Sequence, residues 1–307
     1  MGNMTHTFVT EFIIQGLSPF WEIQLFLCVL LLLFYVFILP GNILIIMTIW
    51  NDPHLGSPMF FFLGNLALLD IFYSCVTPPK IMLNAFSGCR TISYMSCITQ
   101  LFFIHFLGGA EMFLLIAMAI DRYVAICHPL HYATVVTRAV CWAMVIASWT
   151  GGFIHSIIQV ILIIALPFCG PNELDNFFCD ITQIIRLACT NTDALEYIMF
   201  VSSGLVSTAC FILLLMSYGA LLVKVRTGSS QGKSKASSTC ITHIIITFIM
   251  FGPAIYIYCR PFLDYSFDKV VAFFHTVVFP LMNPMIYTLR NKEIKVAMWK
   301  ILKKYAI

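Results

Sequence analysis

Charge is what this chain has least of. Asp, Glu, Lys and Arg make up 10% of its 307 residues, against about 25% in soluble domains. That scarcity excludes an ordinary water-facing surface. Gly/Ser linkers and low-complexity runs are missing, so nothing divides the chain into separate domains. Internal repeats, direct or inverted, are missing too, which argues against the repeat-built transporter folds. The first ~24 residues are mixed-polar and lack a basic head before a short apolar core, so no cleavable signal peptide is expected. The first apolar span then acts as its own insertion signal. Alternation of the kind barrel strands need is absent. Phosphate-cradling glycine loops, nucleophile–base sets and metal-ligand spacings are also absent, so neither an enzyme nor a metal centre is expected. The formal net charge of +3 gives no footprint for nucleic acid.

What is present is apolar length. Hydrophobic residues reach 60%, and a helix of about 20 apolar residues spans a bilayer. Seven windows qualify: 25–50, 58–84, 95–119, 140–167, 195–223, 239–259 and 270–289. In lipid each segment must satisfy its own backbone polar groups, which makes helices the expected form. The fold class is therefore an all-α membrane protein, a bundle of seven transmembrane helices. One domain covers 1–307, with an outer tail over 1–24, the bundle over 25–289 and an inner tail over 290–307.

Cations set the orientation. With the amino terminus and alternate connections on one side, that side holds only Lys80, Arg90, Arg186, Arg260 and Lys269. The other side holds the remaining twelve of the 17 Lys and Arg. Positive residues favour the cytoplasm, so the amino terminus is expected outside and the carboxy terminus inside. Residues 290–304 alternate basic and apolar, as suits an amphipathic helix on the inner leaflet. Asn3-Met-Thr5 is a glycosylation sequon in the outer tail.

Polar residues inside the spans are few. Asp70 and Glu111 are the only deep acids, and such groups face the interior and find partners. Asn42 and Asn283 lie at matching depths. Asp121-Arg122-Tyr123 ends the third window. An Arg keeps its charge and offers a planar fork of donors, which the neighbouring Asp121 can hold. Pro284 permits a kink in the seventh window, with Asn283 before it and Tyr287 after it. Tyr218 gives the fifth window a tyrosine near its inner end. Gly252-Pro253 supplies a kinkable point in the sixth.

One face of the third window gathers Ile104, His105, Gly108, Gly109 and Met112. The fifth offers Ser202, Ser203 and Val206, the sixth Ile255 and Tyr258, the seventh Phe273 and Thr276. An apolar cavity with sparse polar groups between helices is the usual form of a small-molecule site. His105 is its main polar handle, and the paired glycines leave room for a ligand or for close helix packing. His155 and His275 read as structural or loop-facing. Of the 12 cysteines, Cys97, Cys169, Cys179 and Cys189 fall on the outer side, where disulfides form. Four cysteines allow three pairings, which sequence does not rank. Cys28, Cys75, Cys141 and Cys210 read as small buried apolar residues.

Three strings are more specific than any of this. They are Met118-Ala-Ile-Asp-Arg-Tyr-Val-Ala-Ile-Cys127, Lys235-Ala-Ser-Ser-Thr-Cys-Ile-Thr-His243 and Pro280-Leu-Met-Asn-Pro-Met-Ile-Tyr287. Together with Gly41-Asn42, Pro58-Met-Phe-Phe-Phe-Leu63 and Leu289-Arg-Asn-Lys-Glu-Ile-Lys295, they resemble vertebrate olfactory receptors, a branch of the rhodopsin-like G-protein-coupled receptors. The resemblance covers essentially the whole chain. Ile120 and Phe60 stand where that family usually has Tyr, and Met250-Phe251-Gly252 varies its Phe-Tyr-Gly.

The resemblance implies a receptor in the plasma membrane, opened by a small volatile odorant and coupled to a stimulatory G protein that raises cyclic AMP. It implies odorant contacts among the cavity-facing residues named above. It assigns switching roles to Asp121, Arg122, Tyr123, Tyr218, Lys235, His243, Asn283, Pro284 and Tyr287. It selects the pairs Cys97–Cys179 and Cys169–Cys189. It offers a sodium ion, the single candidate cofactor, near Asp70 and Glu111 with Asn42 and Asn283. Membrane lipids are the remaining expected partner. No acid anchors an amine in the outer third of the third window, and no Lys waits mid-way along the seventh for a retinal Schiff base. The alternatives are a rhodopsin-like receptor for a non-odorant small molecule or lipid, and a seven-helix transporter.

Overall fold

The computed structural model describes residues 9–18, 20–169, 171–227, 233–260, 267–278 and 292–305. Helices dominate. They are α1 (Trp21–Asn51), α2 (Pro58–Ser74), α3 (Pro78–Ser87), α4 (Tyr94–Cys127), α5 (Tyr132–Val135), α6 (Arg138–Ile164), α7 (Ile181–Arg186), α8 (Asp193–Met199), α9 (Val206–Thr227), α10 (Lys233–Tyr258), α11 (Asp268–Phe273) and α12 (Lys292–Tyr305). Among the described residues six stretches are long and apolar enough to cross a membrane: Trp21–Asn51, Pro58–Asn84, Tyr94–Cys127, Arg138–Ile164, Asp193–Thr227 and Cys240–Tyr258. The seventh expected window is described only as far as Val278. The protein is an all-α membrane protein. Many of its exposed side chains are large and apolar, Phe26 at 68% and Phe37 at 70% among them, which is stable only against hydrocarbon.

The second window is broken. Pro78 and Pro79 withhold two backbone donors, so α2 stops at Ser74 and α3 begins afresh. Helix α4 is the axis of the bundle and packs against α2, α6 and α9. Its crossing with α6 is close because glycine meets backbone. A Cβ at Gly152 would fall 2.5 Å from both Ala110 N and Phe106 O, and one at Gly109 would fall 3.1 Å from Gly152 Cα. Two π-helical turns interrupt the bundle, at Phe200–Leu205 and Phe274–Val278.

The apolar windows predict no strands, yet a small sheet closes one end. Strand β1 (Glu11–Ile14) lies between β2 (Thr91–Ser93) and β3 (Glu173–Leu174), antiparallel to the first and parallel to the second. Phe12 and Ile14 are buried beneath it with Ile92 and Leu174. The tail is thus stitched to two connections. Two disulfides lie at the same end, Cys97–Cys179 and Cys169–Cys189, with Cα separations of 5.5 and 5.6 Å. These are the pairs that the resemblance implies. At the opposite end, α12 packs on α1. It buries Ile294 and Ala297 and leaves Val296, Trp299 and Leu302 exposed, the pattern of a helix lying at a membrane interface.

Candidate functional site

An interior cavity lies between α4, α6, α9, α10 and α11, below the connection that the disulfides hold. It offers about 80 Å³ to the centre of a water-sized molecule, where a single water needs about 10–15 Å³. Helix α4 contributes Ile104, His105, Gly108, Gly109 and Met112. Ser202, Ser203 and Val206 come from the π-turn and α9, Tyr258 from α10, and Thr276 from the second π-turn. His105 is buried, its ring 6.1 Å from that of Tyr258 and 5.9 Å from that of His155.

Two expected residues lie elsewhere. Ile255 packs into the main core cluster, and Ala254, Ile257 and Tyr258 line the cavity instead. Those three follow the i, i+3, i+4 rule for one helix face, and Ile255 is a quarter-turn off it. Phe273 stacks edge-on to Phe177 at 6.2 Å, while Ala272, His275 and Thr276 face the cavity by the same spacing. His155 and His275 are corrected in the other direction. Both line the cavity, and His275 Nδ1 is buried without a hydrogen-bond partner. Gly109 owes its size mainly to the crossing with α6, since its missing side chain points at Gly152.

The cavity roof is the segment Phe178–Ile181. Gln100, which the sequence reading missed, ties it to α4. Its Oε1 accepts from Cys179 N at 2.9 Å and its Nε2 donates to Val76 O at 3.3 Å. Asp180 accepts from Asn176 Nδ2 at 3.2 Å, Thr182 N at 3.2 Å and Thr182 Oγ1 at 2.9 Å. Burial pushes the Asp180 carboxyl above its usual range and the nearby Asp268 adds to this, while the Thr182 bonds and Arg186 work against it. Arg260 of the α10 end pairs with Asp268 of α11, and Lys269 pairs with Asp175.

At the far end of α4, Asp121 is 1% exposed. Arg122 donates to its Oδ2, from Nε at 2.9 Å and also from Nη2. The other oxygen accepts from Tyr132 Oη at 2.7 Å. Tyr132 lies on α5 and had no place in the sequence reading. Its hydroxyl is held well above the usual phenol range by burial, then by Asp121. Tyr218 of α9 and His243 of α10 stack at 4.8 Å with 7° between planes, and Arg122 lies within electrostatic reach of both. Lys224 donates to Cys127 O at 3.0 Å, bracing α9 on the end of α4. Tyr123 is exposed beside His128. Asn3, Asn283, Pro284 and Tyr287 lie outside the described residues, as does the side chain of Lys235.

Asp70 and Glu111 are both buried in the bundle. Asn42 is buried too. Its Nδ2 donates to Ile38 O at 3.2 Å and its Oδ1 has no partner. Cys28, Cys141 and Cys210 are buried as expected, but Cys75 is exposed and meets Tyr35 Oη at 3.5 Å. Among the described residues no group of three or more His, Cys, Asp or Glu is arranged to hold a metal ion.

Comparison with known proteins agrees with this geometry. The sequence model described as "Olfactory receptor" matches residues 31–305. The chain is 60% identical to human olfactory receptor 4M1 over 309 aligned positions, covering 100% of this chain and 99% of that protein. It is 61% identical to mouse olfactory receptor 4M1, with 97% and 96% covered, and 59% identical to human olfactory receptor 4N5, with 99% of each covered. With the full chain aligned at such identity, and with an interior cavity at one end of α4 and the Asp121-Arg122 pair at the other, the chain belongs to the olfactory receptor family and is an odorant-sensing G-protein-coupled receptor, not an enzyme.

Proposed function

We propose that the odorant is a small volatile molecule that binds in the cavity beside His105, and that the partner is a stimulatory G protein, so that activation raises cyclic AMP. The observation that carries the reading is α4 itself. One unbroken helix, Tyr94–Cys127, brings Ile104, His105, Gly108 and Met112 to the cavity and Asp121 and Arg122 to the opposite end. Ser202, Ser203, Val206, Tyr258 and Thr276 complete the ligand shell from the facing helices. On this reading the resting form is held by three contacts. Asp121 holds Arg122, Tyr132 holds Asp121, and Tyr218 stacks on His243. Release of Arg122 presents a cation to the G protein. Lys235, Asn283, Pro284 and Tyr287 act in the same switch.

The amino terminus is extracellular and carries a glycan at Asn3, and the carboxy terminus is cytoplasmic at the plasma membrane. Exposed Trp299, Val296 and Leu302 of α12 rest on inner-leaflet lipid. A sodium ion in the polar core is supported by two observations: Asn42 Oδ1 is a buried acceptor with no partner, and Asp70 and Glu111 are buried acids. Asn42, Asp70, Glu111 and Asn283 would hold the ion, whose charge would offset part of that on the two carboxyls.

An odorant panel scored by cyclic AMP in cells, at matched surface level, tests the reading. His105→Ala is expected to weaken polar agonists selectively. Met112→Trp, which fills the cavity, is expected to weaken every agonist. Unchanged potency in both variants would move the site elsewhere, and agonist responses without any rise in cyclic AMP would remove the stimulatory G protein.

A further inference from the structure

Gln159 of α6 stands behind the cavity wall, 0% exposed. Its Nε2 donates to Ser202 Oγ at 2.9 Å and to Ser203 Oγ at 3.2 Å, and its Oε1 has no partner. Both serines line the cavity. A hydroxyl has one hydrogen to give and two lone pairs to receive with. Each serine oxygen therefore uses acceptor capacity on Gln159 and keeps its hydrogen. Several other hydroxyls in the bundle spend theirs on their own helix. Ser148 donates to Met144 O, Thr208 to Gly204 O and Thr276 to Ala272 O, each at 2.8 Å. Ser202 and Ser203 sit in the π-helical turn Phe200–Leu205, and among the described residues neither hydroxyl donates to a protein acceptor. Helical widening of this kind recurs at functional sites.

The rest of the lining narrows the ligand further. Among the described residues no Lys or Arg lines the cavity, so a carboxylate finds no counter-ion. The single acid among the described lining residues, Asp180, lies in the roof and already accepts three hydrogen bonds from Asn176 and Thr182, which weakens its hold on an ammonium. The lining is otherwise apolar or neutral.

We propose that Gln159 is a positioning residue that sets the Ser202 and Ser203 hydroxyls as donors into the cavity, so that the receptor selects neutral molecules bearing a carbonyl or ether oxygen. This rests on the cavity being the ligand site. A ligand oxygen accepts from one or both serines while its carbon skeleton covers Ile104, Met112 and Val206. Gln159 touches no ligand. It decides which way the serine hydrogens point.

The test is a dose–response panel of straight-chain 2-ketones and methyl esters, each beside the alkane, amine and carboxylate of equal chain length. In the wild type the ketones and esters should be more potent than their alkanes by about 3–10-fold, the range of one neutral hydrogen bond. Amines and carboxylates should be weaker than the ketones. Gln159→Glu offers the serines acceptors in place of donors and draws their hydrogens away from the cavity. It should bring the ketone-to-alkane ratio close to one while leaving alkane potency in place. The double variant Ser202→Ala/Ser203→Ala should also bring the ketone-to-alkane ratio close to one, and serves if Gln159→Glu fails to reach the surface. Damage to packing alone would lower ketone and alkane together and leave the ratio standing, and that result overturns the proposal. So would a panel led by amines or carboxylates. Met112→Trp separates this failure from that of the site. If it weakens all ligands while the ratio survives Gln159→Glu, the cavity stands and the Gln159 role falls. If Met112→Trp changes nothing, the site itself is lost.

Discussion

Tyr132 shows how much one hydroxyl can hold. Its bond to a buried carboxylate is charge-assisted, and such bonds exceed neutral ones in strength. The bond leaves Asp121 Oδ2 for Arg122 and fixes the carboxylate plane. Tyr132→Phe removes it without changing the ring. With a loss of about 1.4 kcal/mol in the resting form, basal signalling should rise about tenfold, read as ligand-free cyclic AMP at matched surface level. Arg122→Ala in the same background should abolish that rise. A basal level equal to wild type would mean that Asp121 needs no second partner. Gly152 is the opposite kind of residue, fixed by what it lacks. An added Cβ meets two backbone atoms at 2.5 Å, and neither can swing aside. Gly152→Ala must part α4 from α6, at about 1–3 kcal/mol for overpacking. The measurement is the melting temperature of purified receptor, which should fall by several degrees. Gly41→Ala, where a Cβ meets nothing within 4 Å, should leave it in place.

At the scale of elements, apolar length was legible and register was not. The windows at 25–50 and 140–167 foresee α1 and α6 because twenty apolar residues have one stable form in lipid. The break at Pro78-Pro79 was passed over because its flanks are equally apolar. Ile255 and Phe273 were misplaced by one position, and position within a turn decides which face a side chain takes. A π-turn shifts that face, and no residue type announces one, so His275 reads as structural or loop-facing in the sequence, whereas Ser202, Ser203 and Thr276 are already expected to face the cavity. The tail strand β1 was invisible because it pairs with segments far along the chain. The roof segment, which bears Asp180, has a consequence for pH. Its carboxyl is raised by burial from 3.8, so the folded loop binds a proton more tightly than the unfolded chain. Folded stability then falls as pH rises through the interval between 3.8 and the raised value. The melting temperature of purified receptor should therefore increase as pH is lowered into that interval. Asp180→Asn, which cannot ionise, should flatten this slope. An identical slope in the variant would assign the effect to another group.

Across the whole molecule, cavity and switch share α4. His105 and Asp121 are sixteen residues apart on it, about 24 Å at 1.5 Å per residue. A rigid rod does not by itself transmit a signal. An agonist shifts the balance only by its preference for one form over the other. Under the proposed switch, the contacts that hold the resting form lie on three elements besides α4: Tyr132 on α5, Lys224 and Tyr218 on α9, and His243 on α10. The cavity is bounded by α9 and α10 too, through Val206, Ala254 and Tyr258. The same pair of helices that closes on the ligand must part from Arg122. Coupling of this kind is reciprocal, so the G protein must raise agonist affinity by the factor by which agonist raises G-protein affinity. For a coupling of about 1–3 kcal/mol that factor is about 5–150-fold. Agonist dissociation constants measured on purified receptor, with and without nucleotide-free G protein, should differ within that range. Removing Lys224's brace by Lys224→Met frees α9 in advance, so it should raise affinity without G protein and shrink the difference. Arg122→Ala should remove the difference from the other side, leaving the weak value in both conditions. Equal affinities in the wild type would mean that α4 joins two sites that do not speak to each other.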